Sequence, residues 1–195
     1  MRTIESSFNQ AKNFDLCDDL FSLYSEINNS INIPDMSEQE RIITLTWHFG
    51  GIICNGGFGY LYCANIKGDP HYHLTAEAFK KLGCDRCFSA FEESFRWYPD
   101  NTPPADVSER RHLLALVSEE EKTRVGSMFW SVELADFLGP YIRTHRAAIV
   151  KDLRARMPWW ITRRFVRWRY ALGQRLKRWF RQQADEDHRR DARSS

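Results

Sequence analysis

The sequence predicts an all-α fold, and three observations support this prediction. Apolar residues recur at intervals of three and four along most of the chain, which is the spacing of one helix face. No segment alternates apolar and polar residues as a half-buried strand would. Two Ser-x-x-Glu patterns, Ser37/Glu40 and Ser118/Glu121, are typical of helix starts. We therefore expect a compact multi-helix domain.

The first two predicted helices are long. One covers "FDLCDDLFSLYSEI", and its predicted buried stripe consists of Phe14, Cys17, Phe21 and Tyr24. The next begins after Ser37 and contains Gly50 and Gly51, each costing about 1 kcal/mol in a helix relative to Ala. We expect another helix to cross closely at that pair.

Shorter helices are predicted in the rest of the domain. "TAEAFKKLG" ends at Gly83, "DRCFSAFEESFRWY" ends before Pro99, and "VSERRHLLALV" follows a turn-rich loop. A longer segment starts after Ser118 and runs through "FWSVELADFLGPYIRTHR", where Pro140 is predicted to kink or restart the helix. Within it, Asp136 is predicted to be buried and paired with Arg143 or His145.

The charges divide the chain into two parts. Residues 1–150 contain 14 Lys and Arg against 21 Asp and Glu, a balance of −7. Residues 151–195 contain 14 against 5, a balance of +9. We predict an acidic all-α domain over 1–150, a basic amphipathic helix over 151–183 and a disordered tail over 184–195.

The cysteines and histidines do not predict a metal site. His71 and His73, like Cys84 and Cys87, have ligand-like spacing. A helix between the two pairs would separate them by about 15 Å. No strand precedes Cys84, so a redox Cys-x-x-Cys motif is not favoured either. We expect five reduced thiols, with Cys87 in the core, and no cofactor.

The stretch "CNGGFGYLYCAN" has three candidate structures. A hairpin needs alternating strands on both sides, and a phosphate loop needs a Gly-Lys-Ser/Thr or dinucleotide pattern; neither is present. The remaining interpretation is a joint between two helices, in which Asn55 and Gly56 end one helix in the left-handed conformation and Gly57 starts the next. Phe58 then turns inward. The predicted core here is Phe58, Tyr60, Tyr62, Phe129 and Trp130.

These residues also carry a family resemblance. "CNGGFGYLYCAN", the Gly68–Asp69 loop, "TAEAFKKLG" and "FWSVELADFLGPYIRTHR" follow one another as in the bacterial DNA-mimic-protein family, over about residues 15–147. The resemblance implies an all-α domain, and the family name comes from a member that presents carboxylates to a transcription factor in place of DNA. Ile52, Cys54 and Tyr60 depart from the family pattern, which has polar residues at these positions. Acidic clusters at 15–19 and 119–121 are the candidate DNA-like surface.

The basic segment has three candidate roles. Ile161, Phe165, Trp168, Leu172, Leu176 and Trp179 form a helical apolar stripe. The predicted contact residues for a membrane or nucleic acid are Arg163, Arg164, Arg167, Trp168, Lys177, Arg178, Trp179 and Arg181. The helix could dock on the acidic domain, lie on an anionic membrane, or bind nucleic acid; the long apolar stripe disfavours nucleic acid.

The sequence as a whole predicts a cytoplasmic, non-catalytic protein-interaction module with an unknown protein partner. No apolar run resembles a secretory signal or a membrane span. The alternative is a peripheral binder of anionic membranes or nucleic acid that acts through the basic helix. An enzyme is the least favoured class, because no nucleophile, base and acid come together at motif spacing.

Overall fold

The computed structural model describes residues 4–27, 33–64 and 72–156, and over these ranges the fold is all-α as predicted. Nine α-helices and two 3-10 turns, Ile33–Asp35 and Pro99–Asn101, make up the regular structure of the described ranges. The helices are α1 (Ile4–Phe8), α2 (Asn13–Ile27), α3 (Glu38–Cys63), α4 (His73–Lys81), α5 (Asp85–Phe95), α6 (Val107–Ala115), α7 (Glu119–Trp130), α8 (Leu134–Thr144) and α9 (Arg146–Arg156).

Helix α3 is the centre of the fold. It packs against α2, α4, α6, α7, α8 and α9, while α5 packs between α4 and α7. Its inner face carries Ile42, Leu45, Phe49 and Ile53, which are all buried. Four aromatic rings from α3, α4, α5 and α7 form the core beneath its second half: Phe58 lies 5.1 Å from Phe91, and Phe79 lies 5.4 Å from both Phe91 and Phe129.

The predicted helix starts and stops are mostly confirmed. Ser37 and Glu40 form a complete capping box, and the Ser118 hydroxyl accepts a hydrogen bond from the Glu121 N–H at 3.2 Å. Gly83, with φ +76°, follows α4. The close crossing expected at the glycine pair occurs at Gly50, where an added Cβ would lie 2.6 Å from Leu134 Cδ2.

Two predicted features of the helices are wrong. The long C-terminal helix is interrupted between Trp130 and Leu134, not at Pro140, which lies inside α8. The break lets side chains of α7 and α8 both face α3, and at Pro140 the missing N–H leaves the carbonyl of the exposed Asp136 without its helical donor. On α2, Phe14 is exposed and Phe21 is half-buried; the buried face is Leu16, Cys17, Leu20, Leu23 and Tyr24.

Helix α3 is held at its C-terminal end by a buried arginine. Arg110, only 1% exposed, donates hydrogen bonds to the carbonyls of Tyr62 at 3.0 Å and Ala64 at 2.8 Å. Its Nη1 also donates to the carbonyls of Pro104 and Ala105. Since the last carbonyls of a helix have no internal donor, Arg110 caps α3 and joins it to the segment before α6.

The other end of α3 is joined to α9 by a polar network. The Arg156 guanidinium forms ion pairs with the buried Glu40 and, at 3.1 Å, with Asp152. Asp152 also accepts hydrogen bonds from the hydroxyls of Ser37 at 3.0 Å and Tyr24 at 3.3 Å. The network therefore joins α9 to the capping box of α3 and to α2. Helix α9 crosses residue 150, where the charge balance of the chain changes sign.

Candidate protein-interaction surface

The Asn-Gly-Gly-Phe segment forms a bend inside α3. Gly57 has φ +67° and ψ −174°, a conformation essentially restricted to glycine, whereas helix geometry continues on both sides. The predicted joint is therefore present, but the positive φ lies at Gly57 and not at Asn55 or Gly56. Asn55 instead remains helical, and its Nδ2 donates to the Gly51 carbonyl at 2.8 Å.

The bend leaves room for only a hydrogen atom at Gly56. An added Cβ there would lie 2.6 Å from Cβ of Tyr60, the residue that the bend brings against it. The two glycines therefore have different roles: Gly57 supplies the backbone conformation and Gly56 supplies the space. Phe58 turns inward as predicted and is 1% exposed.

Trp130, the last residue of α7, covers the bend from outside. Its indole Nε1 donates to the Ile53 carbonyl at 3.0 Å, and its Cζ2 would lie 3.7 Å from a Cβ on Gly57. The ring nevertheless remains 48% exposed. The prediction that Trp130 is a core residue is therefore wrong: the indole is hydrogen-bonded to α3 at the surface.

Tyr60 is also exposed, at 62%, and its predicted burial is wrong. Beyond the bend, Phe58, Leu61 and Tyr62 occupy the inner face of α3 and Tyr60 points to the opposite side. Apart from Glu38 and Cys54, the exposed residues of α3 are the following five, which we call the α3 stripe: His48, Gly51, Asn55, Gly56 and Tyr60.

Aromatic rings from α2 flank the α3 stripe at its N-terminal end. Phe14, 58% exposed, packs edge-on against Trp47 with ring centroids 5.2 Å apart. Phe21 stacks on His48 at 5.8 Å. Although His48 has an exposed side, desolvation where it packs against Phe21 lowers its pKa below the ordinary value, which favours the uncharged ring. The stripe and its flanks are thus an aromatic and largely uncharged surface.

A comparison with protein-family models identifies the family of this domain. The model described as DMP19-like protein matches residues 34–145, which include the bend, the α3 stripe and α4 to α8. The chain belongs to the DMP19-like family. No curated protein and no solved structure matches the chain.

Several carboxylates of the two acidic clusters of the DMP19-like chain are bonded to its own side chains. Asp19 is buried and accepts a hydrogen bond from Gln10 at 2.9 Å. Glu119 pairs with Lys122 at 2.6 Å, and Glu121 pairs with Arg124 at 2.7 Å. These pairs leave fewer free carboxylates than the sequence suggested for a surface that imitates DNA phosphates.

The remaining acidic prediction concerned Asp136, and it is wrong. Asp136 is exposed in the first turn of α8, and its carboxylate accepts a hydrogen bond from Asn13 Nδ2 at 3.4 Å. Arg143 also bonds to Asn13, so it reaches the same amide and not the carboxylate. The apolar neighbours Ala135 and Leu138 face the core, and Asp136 lies on the other side of the helix.

The thiols of the DMP19-like domain have different surroundings. Cys17, Cys84 and Cys87 are buried, the last as predicted, while Cys54 is exposed beside the bend. Within residues 4–27, 33–64 and 72–156, no three His, Cys, Asp or Glu side chains come together as metal ligands would. In the same ranges no helix combines the length and apolar composition of a membrane span.

Two predicted motif residues and all predicted contact residues lie outside the described residues. Gly68 and Asp69 fall between α3 and α4, in the range 65–71. The predicted membrane or nucleic-acid contacts all follow Arg156: Arg163, Arg164, Arg167, Trp168, Lys177, Arg178, Trp179 and Arg181. The sequence did not point to Arg110 as a structural residue, because its neighbours read as a solvent-facing helix.

Proposed function

We propose that this DMP19-like chain is a non-catalytic protein-interaction module that contacts a protein partner through the α3 stripe and Trp130. The observation that carries the proposal is the exposure of two large aromatic side chains, Tyr60 and Trp130, at the family's glycine bend. Tyr and Trp are enriched among the residues that dominate binding energy at protein interfaces. Exposed where the end of α7 meets the bend of α3, they support binding of a partner with an apolar contact surface.

The side chains of the α3 stripe favour binding by aromatic contact over binding by DNA mimicry. DNA mimicry requires carboxylates at phosphate-like spacing, and the α3 stripe contains none. Tyr60, a member of the stripe, stands where the family pattern has a polar residue, so the stripe is more apolar there than that pattern. We therefore infer that the partner is recognised by aromatic contact and not by imitation of a DNA backbone.

The test blocks the stripe without disturbing the fold. Gly51 is exposed, and an added Cβ there meets nothing within 4 Å, so Gly51→Arg places a long side chain over the stripe. Ser89→Arg on the exposed face of α5 is the matched control. The wild type and both variants are each used as bait to capture binding proteins. Each captured protein is then purified, and its affinity for the wild type and for each variant is measured by titration.

The proposal expects a partner that binds the wild type and Ser89→Arg equally and Gly51→Arg at least about tenfold more weakly. Tyr60→Ala should weaken the same partner to a similar extent. If every captured protein binds Gly51→Arg as well as wild type, the stripe is not the interface. Competition by duplex DNA for the same partner would favour DNA mimicry instead.

A second candidate function rests on the residues after Arg156. Their Arg, Lys and Trp content, with an apolar stripe at helical spacing, supports peripheral binding to anionic membranes and, less strongly, to nucleic acid. The test compares the full chain with one ending at Arg156, which retains α9, on anionic vesicles, neutral vesicles and duplex DNA at several salt concentrations. Loss of anionic-vesicle binding on truncation would support the membrane function; equal binding would reject it.

A further inference from the structure

An aromatic surface extends from the α3 stripe onto α2. Phe14 and Phe21 are two helix turns apart, so both lie on one face of α2, and their rings contact Trp47 and His48. Cys54 is two turns after Trp47 on the same side of α3, and it is exposed. We call this surface the α2–α3 strip: Phe14, Phe21, Trp47, His48 and Cys54. Phe14 and His48 are exposed and the other two rings are half-buried, so no described helix covers the strip.

Carboxylates lie beside the α2–α3 strip. Helix α2 contains four Asp and Glu residues and no Lys or Arg, and its Asp15 and Glu26 are exposed. Glu133, directly before α8, is also exposed. Burial and then the Glu133 charge raise the pKa of the thiol in the strip, so this carboxylate lies close to it. Lys12 and Arg143 are the cations at this edge. An aromatic strip beside an excess of carboxylates fits an amphipathic partner that is basic.

The described chain ends beside one end of the α2–α3 strip. Tyr24 is one helix turn beyond Phe21 in α2, and its hydroxyl donates to the Asp152 carboxylate at 3.3 Å. Arg156, one turn after Asp152, pairs with both Asp152 and Glu40. The residues that follow Arg156 therefore start close to the Phe21 end of the strip.

We propose that residues 158–181 dock on the α2–α3 strip as an amphipathic helix and cover the adjoining α3 stripe until a partner displaces them. This segment contains eight Lys and Arg residues and no Asp or Glu. Its apolar residues from Ile161 to Trp179 recur at helical spacing and as a helix extend about 27 Å. The strip, from the level of Tyr24 to Phe14, requires about 15 Å. The apolar residues meet the aromatic rings, and the basic residues beside them meet the carboxylates of α2 and Glu133.

Docking within one chain needs only a weak contact. A segment tethered next to its site is present there at an effective concentration of about 1 mM. With a dissociation constant of about 0.1 mM for the contact itself, the strip is covered about ten times as often as it is open. The segment then weakens the apparent affinity of the α3 stripe for a partner by about the same factor. This consequence rests on the proposed function of the stripe, whereas the docking itself does not.

The exposed Cys54 reports docking in the full chain. Wild type and variants are treated with a maleimide under native conditions, and alkylation of each thiol is followed by mass spectrometry of chymotryptic peptides. Cys63, half-buried and beyond the bend, is the internal reference, and the aromatic residues between the two thiols separate their peptides. Leu172→Glu interrupts the apolar residues of the segment. Gln174→Glu, on the opposite side of the same predicted helix, is the control with an equal change of charge.

We expect Cys54 of wild type and of Gln174→Glu to react about tenfold more slowly than Cys54 of Leu172→Glu, with the rate at Cys63 unchanged. Phe14→Glu should release Cys54 to the same extent and add nothing in combination with Leu172→Glu, because both substitutions remove one contact. Additive effects of the two substitutions would show that the segment does not contact the strip.

Equal rates of Cys54 alkylation in wild type and Leu172→Glu would overturn the docking. Protection of Cys54 that is lost on dilution would also overturn it, since the segment would then belong to a second copy of the chain. No partner takes part in this experiment, so its failure leaves the Gly51→Arg test of the α3 stripe intact.

Discussion

At the scale of single residues, the two glycines Gly51 and Gly57 lie in one helix and have opposite requirements. Gly57 has a positive φ that a Cβ would strain, whereas Gly51 is helical with open space around it. Strain of this kind costs about 1–3 kcal/mol. Glycine at an ordinary helical position costs about 0.5–1 kcal/mol relative to alanine. Substitution by alanine should therefore change the free energy of unfolding in opposite directions at Gly57 and Gly51.

We expect Gly57→Ala to lower the free energy of unfolding by about 1–3 kcal/mol and Gly51→Ala to raise it by about 0.5–1 kcal/mol. Urea denaturation followed by circular dichroism measures both. The loss at Gly57 should come from the backbone, because the nearest side-chain atom, Trp130 Cζ2, would be 3.7 Å from the new Cβ. Equal stabilities of the two variants would show that the bend does not require glycine.

Residue identity predicted the bend but not the surface around it. Asn-Gly-Gly permits a positive φ, and the flanking segments do not alternate as strands would, so a joint between helices could be inferred from the sequence. The exposure of Tyr60 and Trp130 depends on which way the bend turns α3 and on where α7 ends. Because large aromatic residues are buried on average, composition favoured the wrong answer for both side chains.

At the scale of helices, the C-terminal end of α3 depends on one side chain from α6. Arg110 donates four hydrogen bonds to carbonyls and lies 5.5 Å over the ring of Tyr72. A lysine has the charge but not the planar group that reaches several carbonyls at once. We expect Arg110→Lys to lower the free energy of unfolding by about 3 kcal/mol.

The neighbouring Arg111 supplies the matched control, since it is exposed and donates one hydrogen bond, to the Cys63 carbonyl at 3.0 Å. Arg111→Lys should change stability by less than about 0.5 kcal/mol in the same denaturation experiment. Similar losses for the two variants would mean that charge, and not the geometry of Arg110, holds α6 to α3. Helix periodicity does not reveal the role of Arg110, because that role depends on which carbonyls lie near its guanidinium in the folded chain.

At the scale of the whole molecule, the Glu40 network joins the first and last parts of the described fold. Burial raises the pKa of Glu40 above its ordinary value, and the Arg156 charge opposes this only in part. Between the unfolded and folded pKa values, the folded chain carries a proton that the unfolded chain lacks. Stability therefore falls as the pH rises through that window, and the cost of the buried charge is fully present above it.

We expect the stability of wild type, measured relative to Glu40→Gln, to decrease as the pH is raised from about 4.5 towards neutrality. Urea denaturation of both proteins over this range measures the difference, and Glu38→Gln, at an exposed position paired with Lys81, is the control. If wild type instead gains stability relative to Glu40→Gln on raising the pH, the ion pair with Arg156 outweighs the burial of the carboxylate.

The helical class and the caps followed from local patterns, but the role of α9 did not. Asp152 and Arg156 read as part of a basic segment, and only the three-dimensional placement of α9 beside the Ser37–Glu40 cap shows that they belong to the domain. Ile149 and Leu153 are buried and also show that α9 belongs to the domain. The sequence does not reveal this, because two apolar residues in a charged helix are a weak signal.

The ion pair between Arg156 and Glu40 fixes the distance between the end of α9 and the bend at Gly57. Arg156, the last residue that the structure describes, lies beside the N-terminal end of α3, and the bend lies about 20 residues further along the same helix, or roughly 30 Å away. A ligand gripped at both places gains from chelation, because the second contact is made within an existing complex and can raise affinity about 100-fold or more. A small molecule is too short to span that separation, so only a macromolecule or a membrane could use both contacts together.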